Sequence, residues 1–302
     1  LRSTSPPYRF YRNERPRAFH GAGFRRDFAF ALAIGVAFAR KWRPASLFLA
    51  AEDMTTPTET LARFVIEARR VVFFTGAGVS TESGLPDYRG PDGVWTRQKK
   101  GLPPLALDRP WSSFEPNAAH RAIAALERLG KLDFLISQNV DDLHLKSGIP
   151  PEKLAELHGN MEIMKCLFCD GRFRKAEIGW DSGRFGEGYR TSAPVLGQPC
   201  CPRCGGRIIS SVVNFGDPLP EREWAEALAA ARRCELFLAV GSSLSVFPAA
   251  ELPVYALEAG ARLAILNLGE TPLDSRAHLK IESKAGEVLA AVVERVRAAI
   301  RP

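Results

Sequence analysis

The chain has 302 residues, 46% of them hydrophobic and 25% charged, an ordinary composition for a globular chain, and it shows no repeats or low-complexity tracts. The formal charge of +7 suggests a nucleic-acid binder until it is located: residues 1–53 hold ten Lys/Arg against four Asp/Glu, and the remainder has 31 basic and 30 acidic residues. The body therefore makes no electrostatic case for nucleic acid.

Residues 1–53 lack the periodicity of a domain and read as an extension, either disordered or translated upstream of Met54. Arg25-Arg26-Asp27-Phe28 before an apolar run over 29–39 is similar to a twin-arginine export signal, and the arginine content also fits an organelle transit peptide. Arg40 and Lys41 directly after the run count against export, and the run is too short to cross a bilayer. No other membrane signal is present.

Helical periodicity over 60–70, 118–129, 223–234, 249–259 and 287–300 alternates with short apolar runs, the pattern of a parallel sheet covered on both faces. The first run, Val71-Val72-Phe73-Phe74, empties into Thr75-Gly76-Ala77-Gly78-Val79-Ser80-Thr81-Glu82-Ser83-Gly84-Leu85-Pro86-Asp87-Tyr88-Arg89. Glycines after a buried strand let the backbone approach a ligand, and a following helix N-terminus would hold a phosphate. The spacing is not GxGxxG, because Thr81 stands where the third glycine belongs and the next is Gly84. A lone G-x-G leaves an ordinary loop as an alternative, but Asp87 and Arg89 follow as groups able to reach a ribose. The Pro/Gly-rich stretch 86–116 reads as a long cofactor loop leading into a helical module.

The run Phe134-Leu135-Ile136-Ser137 opens into Gln138-Asn139-Val140-Asp141-Asp142-Leu143-His144. Residues just past strand ends face the ligand crevice of an open α/β sheet, so Gln138, Asn139 and Asp141 are placed to hydrogen-bond an amide and ribose hydroxyls. Glu156-Leu157-His158-Gly159-Asn160 puts a histidine in a short polar turn. Residues 165–210 then break the α/β rhythm. Cys166-x2-Cys169 and Cys201-x2-Cys204, 31 residues apart, offer four thiolates for a tetrahedral zinc whose closed shell makes it structural. Cys200 rivals Cys201, but only Cys201 completes a CxxC; Cys234 reads as a buried apolar residue. The strand-then-small-residue pattern returns at Gly241-Ser242-Ser243-Leu244 and Asn267-Leu268-Gly269-Glu270.

In this order GAGVSTESGLPDYRG, QNVDDLH, HGN, the two CxxC pairs, VVNFGDPLP, GSSL and ILNLGE resemble the sirtuins, the Sir2-type NAD-dependent protein lysine deacylases, from about residue 61 to 299. Gly90-Pro91-Asp92-Gly93-Val94-Trp95-Thr96 and the stretch from Lys153 to Met161 are most similar to the class IV branch, which contains the chromatin-associated mammalian sirtuins. The resemblance implies an α/β, Rossmann-like doubly wound parallel sheet with a small inserted zinc-binding domain (165–210) and a helical module, the catalytic domain spanning 54–302. It implies NAD as co-substrate, one structural Zn2+, acyl-lysine protein substrates and a cytoplasmic location; the near-neutral body adds no strong case for nucleic acid, no membrane partner is expected, and the sequence does not give the oligomeric state.

Carried over residue by residue, His158 is the general base that takes a proton from the ribose hydroxyl system, and Asn139 and Asp141 order the ribose and the nicotinamide carboxamide. The cofactor set is Gly76, Ala77, Gly78, Ser80, Glu82, Asp87, Tyr88, Arg89, Trp95, Gln138, Asn139, Val140, Asp141, Gly241, Ser242, Ser243, Asn267, Leu268 and Ala285. Val213, Asn214, Phe215 and Gly216 resemble the strand that pairs with the substrate backbone, with a core strand as the plain alternative. Asp142 stands where glycine is usual, which is expected to put a carboxylate beside the nicotinamide pocket. His20, His120, His144 and His278 are read as structural or surface residues, His144 facing away from the site. No Tyr-x-x-Arg for acidic acyl groups stands in residues 94–116, so neutral acyl groups are expected, acetyl first. The competing reading is a protein mono-ADP-ribosyltransferase using the same NAD site; a dehydrogenase and a zinc-ribbon scaffold fit the motifs less well.

Overall fold

The computed structural model describes residues 55–103, 105, 107 and 109–300; the readings made for residues 1–53, the arginine pair and His20 among them, lie outside these. Helix α1 (Pro57–Glu67) starts where Thr56 and Glu59 cap each other reciprocally, the hydroxyl accepting from Glu59 N–H and the carboxylate from Thr56 N–H. Strand β1 (Val71–Thr75) is buried throughout. There follow α2 (Val94–Lys99), α3 (Ala118–Arg128), β2 (Leu132–Ser137), α4 (Leu143–Lys146) and β3 (Leu154–Glu156). The insertion holds β4 (Ile163–Cys166), β5 (Arg172–Arg174), α5 (Ser182–Phe185) and β6 (Ile208–Ser210). The chain closes with α6 (Glu221–Arg233), β7 (Leu236–Val240), α7 (Leu252–Glu258), β8 (Arg262–Leu266), β9 (Leu279–Ile281) and α8 (Ala285–Ile300).

The main sheet has the order β3-β2-β1-β7-β8-β9 and is parallel at every pairing. Chain order reverses between β1 and β7, the switch point at which open α/β sheets form a ligand crevice. Alternation along β1 sends Phe73 to one face and Phe74 to the other. Phe73 packs with Leu61 and Val65 of α1, Ile123 and Leu126 of α3, and Leu289 and Val292 of α8. Phe74 joins Phe237, Ala227 and Ala231 of α6, and Leu252 and Ala256 of α7. These two layers build the doubly wound fold anticipated from the alternation of periods. The insertion is a separate antiparallel sheet, β5-β4-β6, over a small core of Met164, Trp180, Phe185 and Ile208. Among the described residues no helix is long and apolar enough to cross a membrane.

The helix that follows β1 is a 3-10 helix, Ala77–Ser83, ended by Gly84 at φ 94°. Residues 213–216 form no strand: Asn214 N–H donates to Asp217 Oδ2 at 3.2 Å, Gly216 has φ 91°, and Phe215 is 66% exposed. The aspartate closes a turn, so a core strand does not describe this segment.

Candidate active site

The turns that leave β1 and β7 touch. A Cβ on Gly78 would lie 2.8 Å from Gly241 Cα, and one on Gly76 would lie 2.8 Å from Gly241 O. The glycines of the first motif are thus required by the chain's own backbone, and their contact forms the floor of the crevice.

Above that floor stands a buried polar network. Ser80 Oγ donates to Asp141 Oδ2 at 2.6 Å and accepts from Asn139 Nδ2 at 3.1 Å. Asp141 Oδ1 accepts from Leu143 N–H at 3.0 Å, which starts α4. Burial pushes the Asp141 carboxyl up, against these hydrogen bonds. Beneath lies a pair of histidines that sequence reasoning set aside. His120 Nε2 is 3.5 Å from Ser80 Oγ and its Nδ1 is 3.0 Å from Asn117 Oδ1. His144 Nε2 is 2.9 Å from Thr75 Oγ1, and the two rings sit 4.9 Å apart. His144 is therefore a buried structural residue, packed against Thr75 and His120. Burial, with the Arg121 charge, lowers His120 to about 4; burial, with His120 beside it, holds His144 well below the usual histidine value. Both rings are neutral at physiological pH. The signal in sequence was Asn117 three residues before His120, an N-cap that fixes the first turn of α3.

His158 follows β3. Its Nδ1 is 2.8 Å from the Gln138 carbonyl, which can only accept, so Nδ1 carries the hydrogen and Nε2 holds the lone pair in the neutral ring. Burial lowers the His158 pKa and the Gln138 carbonyl partly opposes this. Gln138 is itself fixed, its amide donating to Ser242 Oγ at 2.8 Å and to Thr75 O at 3.3 Å. One residue thereby links the ends of β1, β2 and β7 to the histidine. Gly159, at φ 77°, turns the chain so tightly that a Cβ would overlap the Ser211 carbonyl. Gly159→Ala is expected to cost at least about 1–3 kcal/mol, read as a lower urea midpoint at unchanged m-value.

Val213 N–H donates to His158 O at 2.9 Å and brings the exposed Phe215 alongside. Trp95 stands 6.1 Å from Phe215 and 5.1 Å from Tyr88, with the Arg89 guanidinium 4.2 Å over the Trp95 ring. Tyr88, Arg89 and Trp95 of the cofactor loop thus meet Phe215 of the 213–216 segment in one stacked cluster. Asp87 Oδ1 accepts from Gly90 N–H at 2.9 Å; burial raises Asp87 and lowers Arg89. Ala77 opens the 3-10 helix, and the Val140 carbonyl accepts from Met161 N–H at 2.8 Å. Further along the strand ends, Ser243 Oγ is 2.9 Å from Ser245 Oγ, and Asn267 Nδ2 donates to the Leu268 and Gly269 carbonyls. Leu268 is exposed and Ala285, first in α8, is buried. Amide and hydroxyl donors at the ends of four adjacent parallel strands, around the switch point, are a set that fits a dinucleotide.

Two sequence readings need correction. Glu82 turns to the start of α8, where its Oε1 accepts from Gly286 N–H at 2.9 Å, instead of toward the crevice. Asp142 does not crowd a pocket beside Asp141. It sits at φ 65° with its side chain 2% exposed, bound to Asn160 and to Arg174 of β5. His278 is structural as read, its Nδ1 accepting from Leu263 N–H at 3.1 Å.

The four cysteines of the insertion converge, with Sγ atoms all within 4.8 Å of one another. Cys166 and Cys204 are 3.5 Å apart and Cys169 and Cys201 3.6 Å, close to the roughly 3.8 Å separating thiolates about 2.3 Å from a tetrahedral zinc. These separations exclude disulfides, and all six cysteines are free. Cys201 rather than Cys200 joins the cluster, Cys200 being exposed on a bridge to Arg207. The buried Cys234 donates to Ala231 O, as its apolar setting requires.

The same architecture recurs in known proteins. The Sir2 family model matches residues 103–248. NAD-dependent protein deacetylase 1 of Bradyrhizobium diazoefficiens is 37% identical over 258 residues, 80% of this chain and 97% of its own length. NAD-dependent protein deacylase 2 of Archaeoglobus fulgidus is 39% identical over 252 residues, 78% of this chain and 94% of its own. A solved Sir2 structure described as holding a deacetylated p53 peptide and 3'-O-acetyl-ADP-ribose is 33% identical, covers 78% of this chain and 97% of its own, and has a TM-score of 0.61. The switch-point crevice, the four-cysteine module and this likeness over four-fifths of the sequence lead to one assignment: the chain belongs to the Sir2 family, the sirtuins.

Proposed function

We propose that this sirtuin removes acetyl and longer neutral acyl groups from protein lysines, consuming NAD and one water and releasing nicotinamide, O-acyl-ADP-ribose and free lysine. The observation that carries this reading is His158: a half-buried imidazole, fixed by Gln138 so that Nε2 is a free base, at the mouth of a dinucleotide crevice. NAD supplies the ADP-ribosyl group that receives the acyl chain. His158 Nε2 takes the proton of a ribose hydroxyl and is already neutral at cellular pH. Asn139 and Asp141, held by Ser80, present an amide and a carboxylate to the ribose and carboxamide. Gln138, Ser242, Ser243 and Asn267 serve the ribose and phosphate side, with Gly76, Ala77, Gly78, Val140, Gly241, Leu268 and Ala285 as backbone and apolar walls. Asp87, Tyr88, Arg89 and Trp95 order the cofactor loop.

Val213, Asn214, Phe215 and Gly216 receive the acyl-lysine, Phe215 and Trp95 closing around its chain. Cys166, Cys169, Cys201 and Cys204 hold one structural zinc, whose closed shell leaves it no place in the reaction. Residues 54–302 are the catalytic domain and 165–210 its insertion. The stretch from Lys153 to Met161 and the Gly90–Thr96 segment support the class IV branch, and NAD chemistry with free thiols supports a cytoplasmic location.

Mass spectrometry of the protein with NAD and an acetyl-lysine peptide tests the reading. O-acetyl-ADP-ribose is expected in step with free lysine. Cleaved NAD with ADP-ribose left on protein and the peptide still acetylated would replace it with ADP-ribosyl transfer.

A further inference from the structure

Asp142 is a non-glycine residue in a left-handed turn, one position after Asp141 and sealed from solvent. Asx residues enter that backbone more readily than other non-glycine residues because their short polar side chains can hydrogen-bond nearby. Here Oδ2 accepts from Arg174 Nη1 at 3.0 Å, while Oδ1 accepts from Arg174 Nη2 at 3.4 Å and from Asn160 Nδ2 at 2.8 Å. The same Asn160 amide spends its other hydrogen on Glu156 Oε1, also at 2.8 Å. Asn160 is tied besides to Ser211, through its N–H and its carbonyl. One aspartate thus joins three segments distant in sequence: the turn that carries Asn139 and Asp141, the turn that carries His158, and β5 of the zinc insertion.

The charges close only with the arginine present. Glu156 faces Asp142, Asp141, Asn160 and Arg172, and burial, with the two aspartates adding, pushes it up to about 8, so at neutral pH it keeps its proton. Asp142 is then compensated by Arg174, whose guanidinium reaches in from a position 44% exposed. A carboxylate this buried, deprived of its cation, is left uncompensated and is driven toward solvent, which pulls on the adjoining turn.

We propose that Arg174 is a positioning residue for deacylation, its ion pair with Asp142 holding the Asn139–Asp141 turn in register with the His158 turn. This rests on the deacylase reading of the site. Arg174 contacts no reacting atom, and its effect travels through Asp142 and Asn160.

The test is a cycle of Arg174→Ala, Asp142→Asn and the double variant in the zinc-loaded protein, with Arg174→Lys alongside. Arg174→Ala is expected to lower kcat by roughly 5- to 50-fold, equivalent to breaking a buried pair only in part, with KM for the acetyl peptide within about twofold. The double variant, with no buried charge to compensate, regains most of the loss, and Arg174→Lys falls between. Zinc content stays at one ion per chain throughout. The amide 1H–15N shifts of Asn139, Asp141, Gly159 and Asn160 move in Arg174→Ala and return in the double variant, a readout that does not depend on turnover. An unchanged kcat and unchanged shifts in Arg174→Ala, or a double variant worse than the single, overturn the proposal. Absence of O-acetyl-ADP-ribose from the unmodified protein overturns the deacylase reading instead, and the amide shifts then still decide the role of Arg174.

Discussion

Replacing His158 with alanine lowers kcat for deacylation by roughly 10²- to 10⁴-fold, the range that a positioned general base contributes. Geometry decides this before electrostatics does. Nδ1–H is engaged by the Gln138 carbonyl, so the ring cannot rotate to offer the other nitrogen without losing that bond. The pH dependence follows with a definite sign. Burial lowers the His158 pKa, so the working, neutral form persists below the ordinary histidine value. The acid limb of kcat/KM for the free enzyme is therefore expected below about pH 6.5, with no loss attributable to His158 on the alkaline side. Product formation followed by mass spectrometry between pH 5 and 9, in the protein and in His158→Ala, reads both effects. A variant within tenfold of the parent, at equal melting temperature, would remove His158 from the chemistry.

Stripping the metal is expected to abolish activity, although the four cysteines line no part of the crevice. The insertion has a core of six buried residues, two of them ligands, too few to hold an independent fold. Structural zinc supplies about 10–16 kcal/mol of apparent binding energy in small zinc modules, and that energy is folding energy. With the insertion unfolded, β5 no longer brings Arg172 to Glu223 of α6, or Arg174 to Asp142. Ser211, just past β6, also loses its fixed place against Asn160. Chelation, or Cys201→Ser, should leave the helical circular dichroism of the main sheet layers largely intact. Proteolysis within residues 165–210 should accelerate, and deacylation should fall below detection. Full turnover by a preparation shown to be metal-free would refute this account.

Much of this was legible in the chain because the informative signals were local. The four central strands announce themselves as apolar runs, and the two CxxC pairs fix their ligands by spacing alone. Strands β3, β6 and β9, three residues each, are too short to leave a period and exist only through their neighbours. The misread side chains share one cause: each is oriented by a partner far away in sequence. Glu82 turns to Gly286, and Asp142 to Arg174. No window around these residues contains the group that decides their direction. The core-strand alternative at 213–216 fails for the opposite reason, a local one. Asp217 reaches back to Asn214 N–H and closes a turn that β-propensity does not register.

The order of strands also governs how the chain must be made. Val71–Thr75 is the central strand, paired on one side with residues 132–137 and on the other with 236–240. While a ribosome translates the whole cysteine-rich insertion and α6, that strand waits with one edge bare, its fully buried Phe73 and Phe74 still lacking the layers contributed by β7, α7 and α8. The half-made sheet is the species most open to aggregation in the life of the protein. Its safety depends on how quickly the last quarter of the chain follows, or on what the cell supplies to shield the bare edge in the meantime.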